Sequence, residues 1–202
     1  MRGVRSGMPL IEFAALVHAE LDDAGVTTVL SGGAAVDIHS GGGQPSDDLD
    51  FVTGHLLAEI EPVLARLGFV RARDPRQSVF THPSAQWYLE FPAAPLAFGN
   101  RTVPVSECWE IGTSEGPLRI ITPTHCLMDR LAACGHWDDT ASLTQALSVA
   151  RARVDEIDWD ALRAFVEEEG IAGHRLVSKF WRDAPRFLSS RSGSASPRPS
   201  PA

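Results

Sequence analysis

The sequence predicts an α+β fold: a mixed β-sheet flanked by helices over residues 9–121, followed by a C-terminal helical subdomain over 122–188. Three observations carry that expectation. Thr27-Thr28-Val29-Leu30 feeds into Ser31-Gly32-Gly33 and then Ala34-Ala35-Val36-Asp37-Ile38-His39, which reads as strand, glycine turn and helix start in immediate succession. From Phe69 to Ile121 short β-rich segments alternate with turn residues. After Thr122-Pro123 the pattern becomes helical, with proline at a helix start where its missing N–H does no harm.

Taken in order, residues 1–8 form a flexible N-terminus, and Pro9 to Ala24 reads as an amphipathic helix with Leu10, Phe13, Leu16 and Val17 on the side that packs on the sheet. Asp48-Leu49-Asp50-Phe51-Val52 alternates polar and apolar residues, so a strand here places Asp48 and Asp50 on one face and Leu49 and Phe51 in the core. A helix spans His55 to Leu67, Gly68 ends it, and Phe69 to Arg73 extends as a strand. Ser78 to His82 and Trp87 to Phe91 read as antiparallel neighbours joined by Pro83-Ser84-Ala85-Gln86. Further short strands are expected at Thr102 to Val105, Trp109 to Thr113 and Leu118 to Ile121, making the sheet mixed. Helices follow at about 123–136, 139–152, 158–169 and 171–184, with Trp137, Trp159 and Trp181 as packing anchors between them. The Ser-, Pro- and Arg-rich stretch 189–202 reads as a disordered tail.

Composition sets bounds on function. A chain of 202 residues with 44% hydrophobic content can bury one sizeable core, and it contains no apolar run of membrane-spanning length and no signal-peptide core. The expectation is a cytoplasmic protein with no membrane partner. Cys108, Cys126 and Cys134 lack the paired spacing of a zinc site and read as reduced, mostly buried thiols; the seven histidines are scattered, and none reads as a ligand. A net charge of -8 argues against a surface coated for nonspecific nucleic-acid binding. Basic residues concentrate between Arg66 and Arg76; a strand there puts Arg71 and Arg73 on one face, where they either meet phosphate or, as the favoured reading, form a solvated edge strand whose charges discourage aggregation.

The candidate chemistry lies in two motifs. Gly32 and Gly33 lack side chains, so a triphosphate can approach the backbone, and the amides at the start of the next helix favour an anion; Ser31 adds a hydroxyl donor. Asp48 follows Gly33 by fifteen residues, and with Asp50 it offers paired carboxylates to a hard cation, Mg²⁺ or alternatively Mn²⁺, that also binds substrate phosphate. Ser46 is placed to steady the intervening turn. In Trp87-Tyr88-Leu89-Glu90-Phe91, Tyr88 and Glu90 share a face, so Glu90 reaches the same site if this strand pairs beside the Asp-bearing one.

Ser31-Gly32-Gly33, Ser46-Asp47-Asp48-Leu49-Asp50 and Glu90 together resemble the nucleotidyltransferase superfamily: a Gly-Gly or Gly-Ser turn, a short helix, an Asp-hydrophobic-Asp strand and a later acid. Within it the chain looks most like the bacterial abortive-infection toxin group, because Ile121-Thr122-Pro123 introduces a helix of the type at Cys126 to Ala133, extending the resemblance to roughly residues 10–170. Arg130 stands where those toxins carry lysine. The resemblance implies transfer of a nucleoside monophosphate from an NTP, with Asp48, Asp50 and Glu90 as metal-binding catalytic residues and Ser31, Gly32, Gly33, Ser46 and Arg130 on the nucleotide. It also implies an RNA acceptor such as a tRNA 3′ end, and a cognate antitoxin as in toxin–antitoxin pairs. The alternatives are a small-molecule, aminoglycoside-like acceptor, or a catalytically idle nucleotide-binding or partner-binding module.

Overall fold

The computed structural model describes residues 3–72 and 78–184. The tail expected over 189–202, and Arg73 and Arg76 of the basic stretch, lie outside the described residues. Helix α1 (Leu10–Asp23) precedes strand β1 (Val29–Ser31), which passes into helix α2 (Gly32–Ser40) with no intervening residue. Then come β2 (Asp48–Val52), α3 (Leu57–Arg66), β3 (Val70–Arg71), β4 (Val79–Thr81), β5 (Tyr88–Glu90), β6 (Ala97–Phe98) and β7 (Arg101–Thr102). A 3₁₀ turn (Val105–Glu107), β8 (Trp109–Thr113) and β9 (Gly116–Ile120) lead into α4 (Pro123–Trp137), α5 (Thr140–Ala152), α6 (Trp159–Glu168) and α7 (Arg175–Asp183).

Among the described residues one sheet has seven strands in the order β3-β4-β5-β2-β1-β9-β8, and β6 pairs with β7 in a separate hairpin. The sheet is mixed: β2 runs parallel to β5 and β1 parallel to β9, while β1–β2, β3–β4, β4–β5 and β8–β9 are antiparallel. Together with its flanking helices it gives the mixed-sheet α+β architecture that the sequence predicts.

Alternation in β2 does what the pattern requires. Leu49 and Phe51 are fully buried, with Leu89 buried beside Leu49 and Phe91 stacked on Phe51 at 6.1 Å between ring centroids. Phe80 of β4 meets Phe91 edge-on at 5.6 Å. Burying a side chain of this size contributes about 2 kcal/mol, so a one-residue slip of β2 would expose both residues and drive two carboxylates into the core. The same burial that holds the strand therefore fixes which way Asp48 and Asp50 point.

The helical half begins as its sequence predicts. The Thr122 side chain accepts a hydrogen bond from the His125 amide at 3.1 Å, with Pro123 in the first turn of α4. Asp139 and Asp158 cap α5 and α6 by accepting from the amides of Ala141 and Ala161, each at 2.9 Å.

Three expectations are corrected and one element is added. The last helix starts at Arg175 rather than 171, because residues 171–174 form a turn in which His174 caps the new helix. The segment expected as a strand over 102–105 splits into β7 and a 3₁₀ turn, since Pro104 supplies no amide to a ladder. Strand β6 and its pairing with β7 are an addition to the expected elements, two residues being too short for periodicity to register. Trp137 does not anchor packing: it is 81% exposed at the end of α4, whereas Trp159 and Trp181 do meet, at 6.2 Å.

Cys126 and Cys134 are buried and Cys108 half-buried, all as free thiols. Among the described residues no helix is long and apolar enough to cross a membrane.

Candidate active site

The site forms where α2 starts against the middle of the sheet. In register, Asp50 lies opposite Ser31 of β1 on one side and opposite Glu90 of β5 on the other, and Asp48 lies opposite Tyr88. Paired residues on adjacent strands share a face, so the carboxylates of Asp48, Asp50 and Glu90 stand on the face turned away from Leu49 and Phe51. One oxygen from each of the three lies within 4.8 Å of the others. All three residues are half-buried, open enough for a ligand to enter.

The glycine turn touches this cluster. Gly32 has φ of 65°, a conformation that side-chain-bearing residues rarely adopt, and a Cβ there would stand 1.9 Å from Oδ2 of Asp50. At Gly33 a Cβ would stand 2.5 Å from Oγ of Ser46 and 3.8 Å from Oδ1 of Asp48. Gly32 must lack a side chain for α2 to begin this close to Asp50, whereas a side chain at Gly33 would displace the Ser46 hydroxyl that holds Asp48. Ser46 Oγ donates to Asp48 Oδ1 at 2.8 Å, which orients that carboxylate, and Ser31 Oγ donates to the Asp50 carbonyl at 3.4 Å. Ser31 makes no side-chain cap, so the first amides of α2 remain for an anion in the cleft.

Electrostatics single out Asp50. Burial, then the neighbouring charges of Asp48, Glu90 and Asp129, push its carboxyl from the ordinary value of 3.8 up to about 6, with Arg130 partly opposing them. Close carboxylates that repel one another are the electrostatic situation a divalent cation relieves, and an all-oxygen donor set suits a hard cation such as Mg²⁺ or Mn²⁺. The residues present therefore fit such an ion.

Beside Asp50 lies a cleft of about 340 Å³, lined by Ser31, Gly32, Asp50, Asp129 and Arg130 and by the loop and hairpin from Pro92 to Phe98. The structure thus brings Ser31, Gly32, Asp50 and Arg130 to one cavity and groups Asp48, Glu90, Ser46 and Gly33 at its edge. Arg130 is not a free cation: its guanidinium is ion-paired with Asp129 and donates to Gln145 Oε1 at 2.9 Å.

Sequence reasoning missed Asp129. The adjacent Asp129-Arg130 pair was its available signal, but only the packing of α4 reveals that both side chains face Asp50's cavity. Tyr88, the chain's one tyrosine, was likewise passed over; its phenol pKa is raised by the nearby charge of Asp48. By contrast, Arg71 sits on the edge strand β3, two strands from β5, 3.8 Å from the carboxylate of Glu61. That placement agrees with the edge-strand reading.

No protein-family model matches the chain, and no curated protein matches it in sequence. In three dimensions it is similar to an antigenic nucleotidyltransferase-like protein from Paracoccidioides brasiliensis, at 12% identity and a TM-score of 0.61 over 89% of this chain and 94% of that one. It is also similar to JHP933 from Helicobacter pylori, at 18% identity and a TM-score of 0.52 over 86% of this chain and 77% of that one. At such identities the likeness establishes the fold, which is nucleotidyltransferase-like.

Proposed function

We propose that this protein is a divalent-metal-dependent nucleotidyltransferase that moves a nucleoside monophosphate from an NTP to an acceptor hydroxyl. The observation that carries the reading is the gathering of Asp48, Asp50 and Glu90 within 4.8 Å, directly against a helix start kept bare by Gly32 and Gly33. Neither a solvated acidic face nor an ordinary turn calls for both features in one place.

In this reading Asp48, Asp50 and Glu90 hold the metal, Mg²⁺ or Mn²⁺. When bound, it neutralises charge on the triphosphate and on the departing pyrophosphate. The amides of Gly32 and Gly33 and the Ser31 hydroxyl hold the phosphate oxygens, fixing the α-phosphorus relative to the carboxylates. Ser46 keeps the Asp48 carboxylate aimed. Glu90, on the far side of Asp50 from Ser31, is placed to receive the acceptor's proton. Arg130, held by Asp129 and Gln145, presents its charge from the helical side.

The toxin-type reading, with RNA as acceptor and a cognate antitoxin, rests on the sequence resemblance alone. A small-molecule acceptor has structural support, because Arg130 is the one Lys or Arg among the described residues lining the cleft and it is already ion-paired. RNA backbones are held chiefly by such cations. The test is incubation of the purified protein with Mg²⁺ and each α-labelled NTP, against total RNA, protein extract and a small-molecule panel, following pyrophosphate release and label. Transfer lost in Asp50→Asn supports the reading. NTP binding with no pyrophosphate released in any pool supports an idle binding module instead.

A further inference from the structure

The sheet face that carries the carboxylates does not end with them. Asp48, Asp50 and Val52 alternate onto one face of β2, and in β1 Ser31 lies opposite Asp50 while Val29 lies opposite Val52. Two residues along a strand span about 7 Å. Within that distance the floor changes from carboxylate and hydroxyl to aliphatic.

Over Val29 and Val52 lies a second cleft, of about 470 Å³, walled by Leu96, Val103 and Val105. It shares Val52, Pro95 and Leu96 with the cleft over Asp50, so the two form one groove. Its volume lies within the range of small-molecule sites, about 300–1,000 Å³.

The lining decides what chemistry fits. It includes no Lys, Arg, Asp or Glu, and no Phe, Tyr or Trp, among the described residues. A ribose-phosphate chain would lack Lys or Arg there, a cationic sugar would lack carboxylates, and a nucleobase would find no ring but that of His55, which is already engaged with Glu59. Its polar groups are partly committed already: the Thr53 hydroxyl donates to the Thr27 carbonyl at 2.8 Å and accepts from the His55 amide at 3.2 Å, and the His55 ring lies 3.3 Å from Glu59. Near the mouth Val105 is 42% exposed, and Leu56, next to His55, is 71% exposed.

Resting on the nucleotidyl-transfer reading above, we propose that this cleft holds the acceptor, and that the acceptor is a small uncharged alcohol with a compact apolar body. Its hydrocarbon lies over Val29 and Val52, and its hydroxyl reaches Asp50 and Glu90. The hydroxyl oxygen attacks the α-phosphorus of the NTP and forms the new O–P bond. The bond from that phosphorus to the α,β-bridging oxygen breaks, pyrophosphate leaves with the electron pair, and the hydroxyl proton passes to Glu90.

The test uses the full chain with ¹³C-methyl-labelled valine and leucine and ¹⁵N amides. The probes are borneol as a neutral bicyclic alcohol, an aminoglycoside, a short RNA, and α,β-methylene-ATP with Mg²⁺. Borneol at millimolar concentration should shift the methyls of Val29, Val52 and Val103, and Val105→Glu should weaken its binding roughly tenfold or more. Val70→Glu, which adds the same charge on the edge strand β3 at a residue 65% exposed, should leave borneol binding unchanged. The inference is overturned if those methyls respond to the nucleotide, the aminoglycoside or the RNA and not to borneol, or to none of the four. It is also overturned if Val105→Glu and Val70→Glu behave alike. Failure of the underlying reading looks different: the Gly32 and Gly33 amides would not respond to the nucleotide.

Discussion

A Cβ at Gly32 would stand 1.9 Å from Oδ2 of Asp50, so the helix that offers its amides and the strand that offers its carboxylates meet only because residue 32 has no side chain. Gly32→Ala should therefore push Asp50 aside and strain a backbone with φ of 65°. The expected result is a stability loss of about 1–2 kcal/mol and transfer reduced by roughly a hundredfold or more. Thermal melts and a pyrophosphate-release assay would show it, and wild-type activity in this variant would contradict the geometry.

Asp48→Asn and Asp50→Asn preserve size and remove the charge that, under the proposed function, holds a cation. Each should leave the circular dichroism spectrum unchanged and lower transfer by roughly a thousandfold or more. Adding Mn²⁺ should raise the melting temperature of the wild type and not that of either variant. An equal Mn²⁺ shift in all three would place the cation elsewhere.

Asp50 also predicts a pH dependence in metal-free protein. Its folded pKa of about 6 lies above the ordinary 3.8, so the native state binds the proton more tightly than the unfolded chain. Its stabilising contribution is fully present below about pH 3.8 and is lost as pH rises through about 6. In EDTA, Asp50→Asn should therefore gain melting temperature relative to the wild type as pH is raised from 5 to 7. A flat difference across that range would mean that Asp50 is not perturbed.

His39 behaves in the opposite sense. It is fully buried on α2, with Nε2 2.7 Å from the Ile121 carbonyl, and burial lowers its pKa from 6.5 to about 4. The unfolded chain takes the proton first, so this histidine's contribution is present above about pH 6.5 and is lost as pH falls toward 4. Its ring resonances should show no titration between pH 7.5 and 5.5 by NMR. A midpoint near 6.5 would refute the burial argument.

Much of the candidate site was legible in the chain because strand alternation is a local property. Asp48, Leu49, Asp50 and Phe51 declare their faces to anyone counting by twos, and Thr122-Pro123 announces a helix through capping chemistry confined to a few residues. Strand β6 and its pairing with β7 were not legible, because a two-residue strand has no period to detect. Trp137 misled because a large aromatic is usually buried, whereas its place at the last residue of α4 leaves it nothing to pack against.

The sequence by itself determined the candidate residues: the bare turn at Gly32 and Gly33, the paired carboxylates, and a glutamate on a later alternating strand. Tertiary structure alone decided that β5 lies parallel beside β2 with Glu90 opposite Asp50, forty residues away in the chain. It also decided that Asp129 and Arg130 face the same cavity and that an aliphatic cleft continues from it. The reason is physical. Alternation and capping are set by neighbours within a turn or two, whereas strand order and register are set by which buried faces, here Leu49 and Phe51 with Leu89 and Phe91, exclude water best when the whole core closes.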